Sequence, residues 1–123
     1  MTYFSLFAPR WLCAGLLTSS VAIAQSVDNG FQIMFNQRAG NCTACHSIPD
    51  VNGKKNSIQS TFAPPLDAVA LRYTQPTLMQ WVTDARKLNS QTLMPPFGMD
   101  LGNGRLLTDA QIADVVAALQ TLR

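Results

Sequence analysis

An all-α fold of a few short helices is predicted by three observations. Apolar residues recur at helical spacing in three separate segments, helix-starting signals stand at the head of each, and no stretch shows the apolar–polar alternation of a half-buried strand. In the first segment Phe31, Met34, Phe35 and Arg38 follow the helical period, with Asp28 or Asn29 as the cap and Gly40 closing the run. The second runs from Pro76 to Leu88, with proline in the first turn and Leu78, Met79, Trp81, Val82 and Ala85 available for burial. In the third, Thr108 and Gln111 have the spacing of a capping box, and Ile112, Val115, Val116 and Leu119 recur on one face up to Leu122. The first and last helices each present an apolar face and are expected to cross. Segments 49–64 and 95–107 read as loops from their Pro, Gly, Asn and Ser content.

The 123-residue chain has room for one domain, and 47% hydrophobic against 13% charged residues argues for a packed globule over a disordered chain. Residues 1–24 read as a targeting segment: Arg10 precedes the apolar run Trp11 to Leu17, and Ala22, Ile23 and Ala24 fit the small-x-small rule for cleavage after Ala24. A membrane span is the competing reading, but only 17 residues separate Arg10 from Asp28, short of the ~20 apolar residues that span a bilayer. Arg10, Trp11 and Leu12 lack the small residues that precede a lipid-modified cysteine, so Cys13 is expected to leave with the segment. Cleavage leaves a domain of residues 25–123, exported and without a membrane span, that carries eight basic residues and seven aspartates. No basic stripe remains that suits nucleic acid.

That domain keeps two cysteines, and both fall in Cys42-Thr43-Ala44-Cys45-His46. This is the C-x-x-C-H signature of covalent haem attachment, in which each thiol adds across a haem vinyl group and the adjacent histidine becomes an axial ligand. Two residues between the thiols put both sulfurs beside one edge of the macrocycle. A thioredoxin-like redox pair wants a preceding strand, and a structural zinc site wants four ligands where this domain offers two cysteines and the chain's one histidine, His46. The fold expectation therefore narrows to a class I cytochrome c, helices wrapped around one covalent haem c, with Cys42 and Cys45 holding the cofactor and His46 on the iron. Export agrees, because covalent haem attachment in bacteria takes place outside the cytoplasm.

With no second histidine, a six-coordinate iron must take methionine. Met34 lies in the first helix's apolar stripe and Met79 between Leu78 and Trp81, both places for gap-filling core residues. Met94 precedes Pro95 and Pro96, which stiffen the backbone that presents it, and is preferred over Met99 in the glycine-rich segment that follows. Pro64, in Ala63-Pro64-Pro65-Leu66, is the candidate carbonyl to accept the second ring N–H of His46; the alternative is a loop-to-helix junction with Pro65 in the first helical turn.

Gly40 to Pro49 around the C-x-x-C-H, Ala63-Pro64-Pro65-Leu66 with Arg72-Tyr73 behind it, Asn89 with Thr92-Leu93-Met94-Pro95-Pro96-Phe97-Gly98, and Leu107-Thr108 together resemble the SoxX family. SoxX is the small monohaem subunit of the periplasmic SoxAX cytochrome of sulfur oxidation. The resemblance runs from about Phe31 to Leu119. Ala63 stands where that family commonly has Gly, and the stretch Met99 to Gly104 is longer than its usual connection. The resemblance implies a heterodimer with a SoxA-type subunit, where thiosulfate is oxidatively joined to a cysteine of the SoxYZ carrier (L-cysteine S-thiosulfotransferase activity). This chain would be its non-catalytic electron-transfer part, handing electrons to a soluble acceptor cytochrome.

Two other functions compete. One is a freely diffusing class I cytochrome c serving another oxidase or reductase, and the other a haem sensor, which needs an open iron position that Met94 is expected to fill. Phe62, Phe97, Pro95 and Pro96 are candidates for an apolar docking patch beside the haem edge, or for shielding the haem; Lys54 and Lys55 for steering an acidic partner, or for simple solvation.

Overall fold

The computed structural model describes residues 25–49 and 59–123. Residues 1–24, read above as a targeting segment, and the Lys54–Lys55 pair lie outside the described residues. Among those described there are four α-helices and no strand: α1 (Val27–Phe35), α2 (Val69–Arg72), α3 (Gln75–Asp84) and α4 (Asp109–Leu119). Short 3-10 turns occupy Cys42–Ala44 and Ala85–Lys87. None of these helices is long and apolar enough to cross a membrane.

Helix α1 begins earlier and ends earlier than its apolar period suggests. Ser26, not Asp28 or Asn29, is the cap, its hydroxyl accepting from the Asn29 N–H at 3.2 Å. The choice is tertiary: Asp114 on α4 accepts from the Ser26 N–H at 2.7 Å and from the Asn29 side-chain amide at 2.6 Å, fixing where the first turn starts. At the other end Asn36 takes an extended conformation, so Arg38 lies outside the helix and is exposed. Gly40 closes the segment in a different way from a helix cap, folding back to donate to the Ile33 carbonyl at 3.1 Å.

Helix α4 follows its sequence signals closely. Thr108 and Gln111 form the reciprocal capping box, and Ile112, Val115, Val116 and Leu119 are buried together with Leu122 just beyond the helix end. Its main partner is α1, whose Phe31, Ile33 and fully buried Met34 complete the core. The two helices approach closely at Gly30, where an added Cβ would stand 2.1 Å from the Asp114 carbonyl oxygen.

Helix α3 is capped by Thr74, carries Pro76 in its first turn, and buries Leu78 and Val82, with Met79 and Trp81 half-buried. It stops at Asp84, short of the expected Leu88. Asp84 leaves helical geometry (φ −157°, ψ 92°), and its buried carboxylate accepts from the Arg86 N–H at 3.2 Å and from Arg86 Nε at 2.7 Å. A side chain that bonds its own downstream backbone competes with the helix. The short α2 was not expected: it starts after Ala68, which sits in the left-handed region (φ 52°), and is tied to the C-terminus by the Ala70 N–H donating to the Leu122 carbonyl at 3.0 Å.

Candidate haem site

The C-x-x-C-H motif leaves α1 through Asn41, a residue type that tolerates the left-handed conformation it adopts (φ 46°). Cys42–Ala44 then form one 3-10 turn, closed by the Cys45 and His46 N–H groups donating to the Cys42 carbonyl at 3.2 and 2.9 Å. The two thiols are not joined to each other, and both are partly exposed. Burial pushes the Cys42 thiol up to about 11, with a smaller upward push from Cys45. A redox-active C-x-x-C needs the opposite shift, toward thiolate. Among the described residues no group of three or more His, Cys, Asp or Glu is placed to hold a metal ion.

His46 Nδ1 lies 2.6 Å from the Pro64 carbonyl oxygen. A carbonyl only accepts, so Nδ1 donates and the neutral ring keeps its lone pair on Nε2. The competing reading of this segment fails on position, because α2 starts at Val69 and Pro65 lies outside any helix. The segment around Pro64 is laced onto the motif by backbone bonds: Ser60 N–H to the Thr43 carbonyl at 3.0 Å, Ala63 N–H to the Cys45 carbonyl at 2.8 Å, and Leu66 N–H to the Ser47 carbonyl at 2.9 Å. Two side chains that the sequence reading gave no role complete the strap. Gln59 accepts from the Ile48 N–H at 2.5 Å and donates to the Ile48 carbonyl at 2.8 Å. Arg72 donates to the carbonyls of Pro65 and Asp67 at 2.7 and 3.1 Å.

Met94 is half-buried and packs against the core. Its N–H donates to Thr92 Oγ1 at 3.2 Å. Met34 is fully buried and Met79 packs on the core, as their positions suggest, while Met99 is exposed. Asp100 folds the glycine-rich stretch after it, accepting from the Gly102 and Gly104 N–H groups, and both glycines have positive φ. The aromatic docking candidates separate: Phe62 is 70% exposed, but Phe97 at 7% belongs to the core and Pro96 is buried with it, so neither forms a surface.

The donor set fits haem c. Two unpaired thiols sit one turn apart, an imidazole with a free Nε2 follows directly, and a partly exposed thioether remains on a loop stiffened by two prolines. Comparison with known proteins agrees at the level of class. A cytochrome c family model matches residues 27–123, and the chain belongs to that family, whose domain implies covalently bound haem c and electron transfer. Comparison with curated proteins gives no match. Among solved structures, the crystal structure of SoxXA from P. pantotrophus is similar at 34% identity and a TM-score of 0.67, over 80% of this chain and 82% of that one. Together these support a SoxX-type cytochrome, with the helical cytochrome c fold.

Proposed function

We propose that this chain is the electron-relay subunit of a SoxAX-type enzyme, exported to the periplasm, cleaved after Ala24, and paired with a SoxA-type cytochrome. The observation that carries the proposal is the likeness to SoxXA at 34% identity over 80% of the chain. Cys42 and Cys45 would hold one haem covalently, and His46 and Met94 would supply the protein ligands to its iron. When bound, the haem supplies a one-electron cycle between ferric and ferrous iron. The protein sets the conditions for that cycle. Pro64 fixes the ring plane and tautomer of His46, leaving the other ring nitrogen as the electron-pair donor. The rigid loop around Met94 limits the entropy lost when a weak thioether ligand binds.

The chain by itself is not catalytic in this reading. Coupling thiosulfate to a carrier cysteine needs a reactive centre open to sulfur substrates, and here His46 and Met94 would both be committed to the iron. With both cysteines of the cleaved domain on the haem and no second histidine in the sequence, no nucleophile with an adjacent base remains. The substrate chemistry therefore belongs to the partner and the SoxYZ carrier, and a soluble cytochrome receives the electrons.

The test follows haem reduction after adding thiosulfate and SoxYZ to the purified chain, alone and mixed with a SoxA-type subunit. Reduction only in the mixture is expected. Rapid reduction of the isolated chain contradicts the relay role, and no reduction in either sample points to the free shuttle. Intact mass checks the processing: residues 25–123 plus one haem is expected, and the bare polypeptide mass contradicts attachment.

A further inference from the structure

The loop that presents Met94 is anchored differently at its two ends, and the downstream anchor is defined by the absence of a side chain. Upstream, the Met94 N–H rests on Thr92 Oγ1, and Thr92 donates its own N–H to the Asn89 carbonyl at 3.1 Å. Pro95 and Pro96 follow, with no N–H to pair and φ fixed by their rings. Downstream, the buried Phe97 accepts from the Leu107 N–H at 2.9 Å, and the Gly98 N–H donates to the Thr83 carbonyl on α3 at 3.0 Å.

Gly98 does not have positive φ, so backbone conformation does not demand glycine there. Space does. A Cβ at position 98 would stand 2.7 Å from Thr83 Cγ2, 2.9 Å from Ile112 Cδ1 and 3.2 Å from Thr83 Cα. The isoleucine methyl can rotate away, but a β-branched threonine on a helix has one or two usable rotamers and its Cα cannot move without α3. The segment itself must give, and the two prolines leave few soft torsions between it and Met94 to absorb the shift.

We propose that Gly98 is a positioning residue for Met94: its lack of a side chain seats the loop against Thr83 and Ile112, and that seat sets how firmly the thioether is held toward the iron. The proposal rests on Met94 being the axial ligand. The same seat stands beside the backbone bonds at Phe97 and Gly98, so the downstream end of the loop is wedged as well as bonded.

The experiment uses the exported, haem-loaded chain and reads the far-red sulfur-to-iron absorbance of the ferric state, alongside covalent haem content and thermal unfolding. Gly98→Ala is expected to keep its covalent haem but lose most of the band. Adding Thr83→Ser, which deletes the methyl at 2.7 Å, should restore part of it. Gly30→Ala, at a still tighter glycine in the α1–α4 contact, is the control for general destabilisation and should keep the full band wherever it is folded. A full band in Gly98→Ala overturns the proposal, as does equal weakening in Gly98→Ala and Gly30→Ala. Should Gly98→Ala fail to accumulate, the Gly98→Ala/Thr83→Ser pair is heated instead: a band lost well below the unfolding midpoint supports the proposal, and a band lost only with unfolding, as in the wild type, overturns it. Met94→Ala separates the two levels. If it keeps the band, the ligand reading fails; if it loses the band while Gly98→Ala does not, only the positioning role fails.

Discussion

The strap beside His46 and the loop beside Met94 are both proline-rich, yet they are held by opposite means. Around the strap, backbone groups of Ser60, Ala63 and Leu66 bond to the C-x-x-C-H segment, Pro64 accepts from His46, and Gln59 and Arg72 add four side-chain bonds. Around the loop, one hydroxyl holds Met94 upstream, and a close-packed glycine contact with a backbone bond to α3 holds the downstream end. Proline serves each side differently. On the strap it offers a carbonyl that cannot drift; in the loop it removes N–H groups that would want partners. The strap should therefore respond to loss of hydrogen bonds and the loop to changes in side-chain volume.

The largest effect on both sides together is expected from Gly30→Ala, which strikes the helix pair beneath them. Its Cβ would meet Asp114 backbone at 2.1 Å, and overpacking of this kind costs about 1–3 kcal/mol. In a domain of this size that lowers the unfolding midpoint by several degrees, at roughly 4–8 °C per kcal/mol. Thermal unfolding followed by absorbance and by circular dichroism should show one shifted transition. Two separate transitions would mean that strap and loop do not share this foundation.

A narrower, one-sided effect is expected from Gln59→Leu. It leaves the buried Ile48 with an unpaired N–H and carbonyl and should cost about 1–3 kcal/mol, while the far-red band of the Met94 side stays unchanged. Loss of that band in Gln59→Leu would break the division between the two sides.

The smallest effect at neutral pH, and the most informative in acid, concerns Asp84. Its bonds to Arg86 hold the carboxyl below the usual carboxylate range. A carboxyl with a depressed folded pKa contributes stability above its unfolded value of about 3.9, and that contribution is lost as pH falls through the folded value. The stability difference between wild type and Asp84→Asn should thus be full above about pH 4 and close on further acidification. Denaturant midpoints between neutral pH and strong acid measure this; a difference that grows in acid would contradict the sign.

What the sequence made legible was local. The capping box at Thr108 and Gln111, the stripe on α4 and the C-x-x-C-H turn each rest on residues within a few positions, where spacing and geometry are tightly linked. The errors fell where distant residues decide. Ser26 displaces Asp28 and Asn29 as cap because Asp114, far along the chain, binds the start of α1. Helix α2 is four residues long, begins after an alanine in the left-handed region and is tied to the C-terminus, so no periodicity announces it. Phe62 and Phe97 look alike in sequence, and only the packing of the loop on α3 and α4 buries one and leaves the other out. Gln59 had no local signal at all, since its partner Ile48 lies 11 positions away. Pro64 was half-legible: its rigidity could be read, but its alignment with His46 depends on the lacing of the whole strap.

The most direct test of the account is the ferric far-red absorbance of the haem-loaded chain compared with Met94→Ala and Met99→Ala. The sulfur-to-iron band should be present in the wild type, absent in Met94→Ala with a lowered reduction potential, and intact in Met99→Ala. Loss of the band in Met99→Ala with its retention in Met94→Ala would contradict the arrangement of the distal side described above.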